Sequence, residues 1–321
     1  MNSHAAFAAA YNEVMLRRFP VAMLVLCLTS LALSSCFARR RGFNRPGGKT
    51  TQTLLLADRD TLLQVIARQF AAVHDFNATV DMVPAQGSAE KNHITEYKDV
   101  RAFILYRKPA DIRVIGLLPV VRNKAFDMVS NGASFKLYLP TKSRFITGRN
   151  ETDQLSENKL ENLRPHHFLD ALVVRPVDPS TTKLLLENFT DEDNAFYIIH
   201  EIHEALNGQL SLLRTIWFNR LDLQLARQLI FDSAGNILSD ARYSGWKAYD
   251  NVPFPKHIEI NWPREESAAV IDIVKMDINK GVSDDKFVLE QPEGTTLQIL
   301  GQPPSPATAR PTAIPPKGPQ Q

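Results

Sequence analysis

The sequence predicts an α+β fold: a large antiparallel sheet curved into a half-open β-barrel, with an N-terminal helix and a mid-chain helix as its lid. Three observations predict it. Roughly ten short runs between residues 76 and 278 alternate apolar and polar side chains with period two, the repeat of a strand with one buried face. Turn formers separate those runs at Asn131-Gly132, Asn207-Gly208, Ala234-Gly235-Asn236 and Lys280-Gly281, as in an antiparallel meander. Two stretches alone carry a helical spacing. A sheet of this many strands curls, and wrapping incompletely around two helices it would enclose a long apolar interior suited to an acyl chain.

Ahead of that body, Arg17 and Arg18 precede an uncharged apolar run from Phe19 to Leu33, which ends in Leu33-Ser34-Ser35-Cys36. Basic, apolar and small residues in this order lay out a secretory signal peptide. The run is shorter than the roughly 20 apolar residues of a membrane-spanning helix. Residues 1–35 are therefore assigned to the signal, with Met15 as an alternative start. Leu-Ser-Ser-Cys resembles the bacterial lipobox, which implies acylation of Cys36, cleavage just before it, and a membrane tether through the N-terminal lipid. The competing reading is an uncleaved anchor. There are two cysteines, and Cys27 falls in the discarded part, so no internal disulfide is available and the core must hold the domain by itself. A net charge of +2 implies no general attraction to nucleic acid. No cofactor is expected, and a monomer is.

Residues 36–52 read as a flexible basic tether. Arg39, Arg40 and Arg41 could rest on anionic headgroups or simply be solvated. Residues 301–321, rich in proline and without apolar period, read as a disordered tail that either binds a partner or is a plain flexible end.

The body spans 53–300. Leu54, Leu55, Leu62, Leu63, Ile66 and Phe70 fall near a 3.6-residue spacing, with Asp58 or Asp60 able to cap a first helix. Strands follow: Phe76 to Met82 with Phe76, Ala78, Val80 and Met82 on one face; Ser134 to Pro140 with Phe135, Leu137 and Leu139; Leu221 to Ala226 with leucines at 221, 223 and 225. Lys256 to Trp262 puts Ile258, Ile260 and Trp262 together, and Val270 to Ile278 puts Val270, Val274, Met276 and Ile278 together. Lys159 to Leu172 is the second helix, with Pro165 marking where the helix proper begins.

Four of these features together resemble the periplasmic lipoprotein carriers and outer-membrane lipoprotein receptors of the LolA/LolB type. They are the opening helix leading into Phe76-Asn77-Ala78-Thr79-Val80; the segment Asp111 to Pro119 followed by Phe126-Asp127-Met128-Val129 and Phe135-Lys136-Leu137-Tyr138; the mid-chain helix; and Phe287 to Thr295, similar to the Phe-x-x-x-x-Pro-x-Gly close of the carriers. The resemblance implies a half-barrel cavity for the acyl chains of lipids or lipoproteins, and a lipidated Cys36 would align the chain with the receptors. It also implies an apolar hairpin tip for membrane insertion. Leu117 and Leu118 stand at about that place, and ordinary strand-end packing is the alternative. The chain's length and its proline-rich tail depart from the family pattern. Phe37 after the cysteine suggests the periplasmic face of the outer membrane.

Motifs for chemistry are weak. His200-Glu201-Ile202-His203-Glu204 misses the His-Glu-x-x-His spacing, and on a strand His200 and His203 point to opposite faces. His166-His167 follow a helix-starting proline. Asp191-Glu192-Asp193 reads as a hairpin tip, and neither a nucleophile elbow nor a phosphate-binding glycine loop is present. No catalytic and no metal-binding residue is named, and the chain is not expected to be an enzyme. Trp217, Phe218, Trp246 and Trp262 are candidates to line an apolar cavity, or else they pack the core. The expected function is a membrane-anchored lipoprotein that binds acyl chains or lipoproteins in envelope assembly, meeting lipoprotein cargo or a periplasmic carrier. The alternative is an envelope scaffold or stress sensor that binds a protein partner.

Overall fold

The computed structural model describes residues 53–88, 93–96, 98–119, 121–151, 162, 164–191 and 193–300. The signal region, Cys36, the basic tether, the tail and most of 152–163 lie outside the described residues, and so do the expectations that fall on them.

Helix α1 (Arg59–Ala72) starts where Asp58, in extended conformation, accepts the Thr61 amide at 2.8 Å, supplying one of the partners that a helix start lacks. Leu62 and Ile66, one turn apart, are its buried residues. Leu54 and Leu55 precede the helix instead of belonging to it, and the Leu55 amide donates to the Arg220 carbonyl at 2.7 Å. The helix end is pinned from outside. Lys108 Nζ donates to the Phe70 carbonyl at 2.6 Å, and Asn279 Nδ2 donates to the Ala72 carbonyl at 2.8 Å.

The first half of the sheet comprises β1 (Asp75–Ser88), β2 (His93–Glu96), β3 (Val100–Arg107), β4 (Asp111–Leu117), β5 (Lys124–Ser130), β6 (Ser134–Leu139) and β7 (Arg144–Arg149). Helix α2 (Pro165–Leu172) follows. The second half is β8 (Lys183–Thr190), β9 (Ala195–Glu204), β10 (Leu210–Asn219), β11 (Leu225–Phe231), β12 (Ile237–Ser244), β15 (His257–Trp262) and β16 (Ser267–Ile278), with β17 (Thr296–Leu300) returning to the first half. A small hairpin, β13 (Lys247–Tyr249) and β14 (Val252–Phe254), stands apart. The large sheet has fifteen strands in the order β17-β7-β6-β5-β4-β3-β1-β16-β15-β12-β11-β10-β9-β8, with β2 on β1. Every pairing in it is antiparallel except β17 with β7. The path ends at β17 and β8, so the sheet does not close.

The two arms meet at β1 and β16, where Phe76 faces Ile278 and Gln86 faces Ser267. α2 packs against both arms, on β4 and β5 of the first and β12 of the second, where Tyr243 Oη donates to the Ala171 carbonyl at 2.8 Å, and Gln228 Nε2 donates to that of Asp170 at 2.9 Å. Pro165, Phe168, Leu169, Ala171 and Leu172 are buried, and the Phe168 ring sits 4.9 Å from that of Trp262. One apolar cluster joins both helices to both arms, from Leu62 and Phe168 to Phe135, Phe218 and Ile271. On the outer face, the segment after β16 crosses the first arm as a strap. Arg107 Nη1 holds the Val282 carbonyl at 3.1 Å, and Lys136 Nζ holds that of Leu289 at 3.0 Å.

Three expectations are corrected. Residues 221–224 are a tight turn, not the start of a strand: the Asn219 and Asp222 carboxamide and carboxylate oxygens accept the Leu221 and Gln224 amides, and Leu223 takes a positive φ of 58°. Short polar side chains that bond their own backbone overrode the leucine alternation. On β16 the buried row is Ala269, Ile271 and Ile273, then Met276 and Ile278, whereas Val274 is exposed. The register slips between Thr79 and Val80 on β1 because β16 carries an extra residue, and a bulge exchanges the two faces beyond it. Finally, among the described residues one apolar cluster fills the interior where a hollow was expected, with a narrow groove left between the helix ends.

Candidate functional site

The groove forms where the C-terminal ends of the two helices meet the second arm. Phe70 comes from α1 and Val73 from just past its end, Leu172 from the end of α2, Leu225 from the start of β11, Trp246 from the turn after β12, and Phe254 from the small hairpin. Its volume is about 40 Å³. Beside it, an open recess of about 450 Å³ is bounded by Val65, Arg68 and Ala72 of α1, Asp222, Leu223 and Pro253. The two share Gln69 and Pro253, so the recess is the outer vestibule of the groove. Trp246 Nε1 donates to the Leu225 carbonyl at 3.0 Å, which satisfies the indole's one polar atom and leaves its ring to line the slot. Tyr243 spends its hydroxyl on α2 in the same way, and complete burial pushes its pKa far up. None of the slot's described lining residues is ionised, which leaves it a mainly apolar wall.

Its size sets a condition. The slot falls far short of the roughly 300–1,000 Å³ of ligand pockets. Admission of a chain requires the helix ends to separate. α1 is the element with less to lose, since it buries two residues of fourteen where α2 buries five of eight.

A second, polar cavity of about 200 Å³ lies beside the start of α2, bounded by Asn150, His166, His167, Asp170, Arg264 and Glu265. Burial pushes the pKa of both histidines down, that of His167 furthest, and raises that of Glu265. Arg164 next to it, stacked 4.7 Å over the Phe135 ring, is lowered by burial to about 10. No group of three metal-ligating side chains occurs among the described residues.

The candidate residues separate. Trp246 lines the groove. Phe218 is fully buried in the main core, and its neighbour Trp217 faces the opposite side of the sheet, packed 5.9 Å from Phe189 and 5.4 Å from Phe196. Trp262 is core, against Phe168 and His167. Leu117 and Leu118 are half-buried at the root of the β4–β5 hairpin, and Val121 at its tip is exposed. His200 pairs with Glu187 at 2.8 Å, and His203, three residues on, is exposed on the other face. Asp191 caps the β8–β9 turn by accepting the Asp193 and Asn194 amides. Leu225, expected only as part of an apolar strand row, and Phe254, which no sequence pattern singled out, join the groove through the turn before β11 and the small hairpin.

No family model matches the chain, and no curated protein does. Solved structures similar to it include a LolA superfamily protein from Nitrosomonas europaea, at 14% identity and a TM-score of 0.44 over 71% of this chain and 97% of that one. Another is a putative outer membrane lipoprotein-sorting protein domain from Vibrio parahaemolyticus, at 11% and 0.45 over 70% and 95%. A third is a DUF1329 family protein from Desulfovibrio piger, at 16% and 0.46 over 71% and 96%. The resemblance read from the sequence recurs among these neighbours. At such similarity it assigns no ligand or partner, and the functional reading rests on the chain's own geometry. Among the described residues, no helix is long and apolar enough to cross a membrane.

Proposed function

We propose that this chain is an envelope lipoprotein, anchored through an acylated Cys36, whose groove between α1 and α2 receives the acyl chain of a lipid or lipoprotein during lipoprotein sorting or outer-membrane assembly. The observation that carries the reading is the apolar slot lined by Phe70, Leu172 and Trp246, free of ionised groups among its described lining residues, which opens to a vestibule where Arg68 and Asp222 stand. Each methylene moved from water into such a slot gains about 0.8 kcal/mol, so the chain is recognised apart from its headgroup. The form described here is the closed one; loading swings α1 away from α2. Leu117 and Leu118 with the exposed Val121 form the hairpin that meets the membrane, and no step of covalent catalysis is involved.

The scaffold reading has one observation in its favour, the packed interior around α2. Quenching of tryptophan fluorescence by a brominated fatty acid separates the two. Trp246 lines the groove, whereas Trp217 and Trp262 do not. Saturable quenching that disappears in Trp246→Phe supports acyl binding. Absence of saturable quenching in the folded protein leaves the scaffold.

A further inference from the structure

We infer that the chain pairs with a second copy of itself through β8, edge to edge and antiparallel, about a two-fold axis at Leu185. β8 ends the sheet: β9 occupies one side, and among the described residues no strand occupies the other. Its ladder to β9 is unbroken over all eight residues, from Lys183 opposite Ile202 to Thr190 opposite Ala195. Edge strands are normally blunted by proline, by bulges or by charges pointing inward. β8 has no proline and no bulge, and its inward row begins with Leu184 and Leu186, both packed on the main core. The outward row holds Lys183, Leu185 and Glu187, and Leu185 is 57% exposed. A regular edge, without a strand on its outer side among the described residues and with complementary charges either side of an exposed leucine, is a template for another strand.

The composition of the edge selects the occupant. Laid antiparallel on itself with Leu185 opposite Leu185, the strand sets Lys183 opposite Glu187 and Leu184 opposite Leu186, and the two-fold repeats each match. Opposite charges and apolar pairs directly across a ladder are the favourable ones, and one patch serving both partners is the signature of an isologous dimer. A slip of two residues sets Leu185 against Glu187 and Lys183 against Phe189. A slip of one residue joins the inward row of one copy to the outward row of the other. The present partners of the two charges, Glu204 for Lys183 and His200 for Glu187, both lie back across β9, and an ammonium with three donors accommodates a second carboxylate. The other sheet edge, β17, reads Thr-Leu-Gln-Ile-Leu and offers no charge match. The joined sheets would continue the concave apolar row from one copy into the next.

Sedimentation equilibrium of the full chain in density-matched mild detergent is expected to give twice the monomer mass at micromolar concentration. Lys183→Glu alone and Glu187→Lys alone should each weaken association at least tenfold. An equimolar mixture of the two variants should restore it, because each supplies the charge the other now lacks. Register is read by cross-linking with copper-phenanthroline and oxygen as oxidant. Leu185→Cys should give a disulfide-linked dimer above the parent chain, and Phe189→Cys should not, since in this register the two copies of residue 189 stand about 27 Å apart, beyond the reach of a disulfide. A monomer at all concentrations, charge variants without effect, or equal cross-linking at 185 and 189 would each overturn the inference.

Discussion

Arg113 grips the buried Asp127 carboxylate with both arms of its guanidinium, Nε to Oδ1 at 2.9 Å and Nη2 to Oδ2 at 2.8 Å, while its remaining Nη1 holds the Lys286 and Val288 carbonyls at 2.8 and 3.2 Å. Lys124 Nζ completes the site, 2.6 Å from Asp127 Oδ2. One side chain thus ties β4 to β5 and both to the strap that crosses the outer face. The charge is fully buried but met by two cations, the circumstance in which removing one partner leaves an uncompensated charge.

Replacing Arg113 by alanine is therefore expected to cost about 3–5 kcal/mol, read as a lower urea midpoint. It should also expose residues 286–295 to limited proteolysis, because the strap loses its anchor. An Arg113→Ala protein with unchanged midpoint and an intact strap would show that the pair contributes nothing.

The acid limb of stability has two separable causes. Burial pushes the Asp127 carboxyl up, but hydrogen bonds from Arg113 and Lys124 outweigh it and hold its pKa below the ordinary carboxylate value. A lowered folded pKa contributes stability above the unfolded value, about 3.9, and that stability drains away as pH falls through the folded value. His167 is held neutral by burial. As pH drops below about 6.5 the unfolded chain takes up its proton first, so stability declines from there downward. His167→Phe should flatten the fall that begins near neutrality and leave the steeper loss at lower pH. Chemical denaturation across pH 3–8 checks both.

His257 has the opposite sign. Against the cost of burial, Asp272 at 2.9 Å and Glu259 at 3.2 Å favour its charged form and raise its pKa. Its contribution is whole below the unfolded value and is lost as pH rises through the elevated folded one. In His257→Asn the difference in stability between pH 6 and pH 8.5 should shrink. An NMR titration giving an unshifted or lowered pKa for His257 contradicts this.

Gly116 shows where β4 approaches a ring. A Cβ there would sit 2.3 Å from Phe126 Cε1, so Gly116→Ala must displace the ring and is expected to destabilise by about 1–3 kcal/mol. Adding Phe126→Ala should recover much of the Gly116→Ala penalty, and the double-mutant cycle gives the coupling directly. Simple additivity of the two changes would contradict the clash.

The Lys108 ammonium both donates to the Phe70 carbonyl and rests 4.2 Å from the centre of the Phe70 ring, at the edge of the groove. Lys108→Met should release the end of α1, at a cost of about 1–3 kcal/mol, and speed the uptake of a brominated fatty acid. Slower or unchanged uptake would remove α1 from the role of lid.

The α+β class, the strands Phe76–Met82, Ser134–Leu139 and His257–Trp262, the cap at Asp58 and the helix start at Pro165 were legible because each depends on nearest-neighbour chemistry: period-two burial, a short polar cap, a ring that fixes φ. Where a distant partner intervenes, the reading failed. The bulge that turns Val274 outward is set by the pairing of β16 with β1, and the Asn219–Gln224 turn by side-chain bonds that compete with a leucine alternation. The groove was legible only in part. Trp246 was one of four aromatic candidates on equal terms, and nothing local distinguishes it from Trp262, which the packing of α2 buries.

By itself the sequence determined the elements and their faces, since period and propensity act over a few residues. Whether the curled sheet would be hollow or filled belonged to the tertiary structure, because the volume left inside is a difference between the curvature of the sheet and the bulk of two helices. Neither quantity is written in any one segment. Among the described residues, their near-equality leaves a slot of about 40 Å³ between the helix ends.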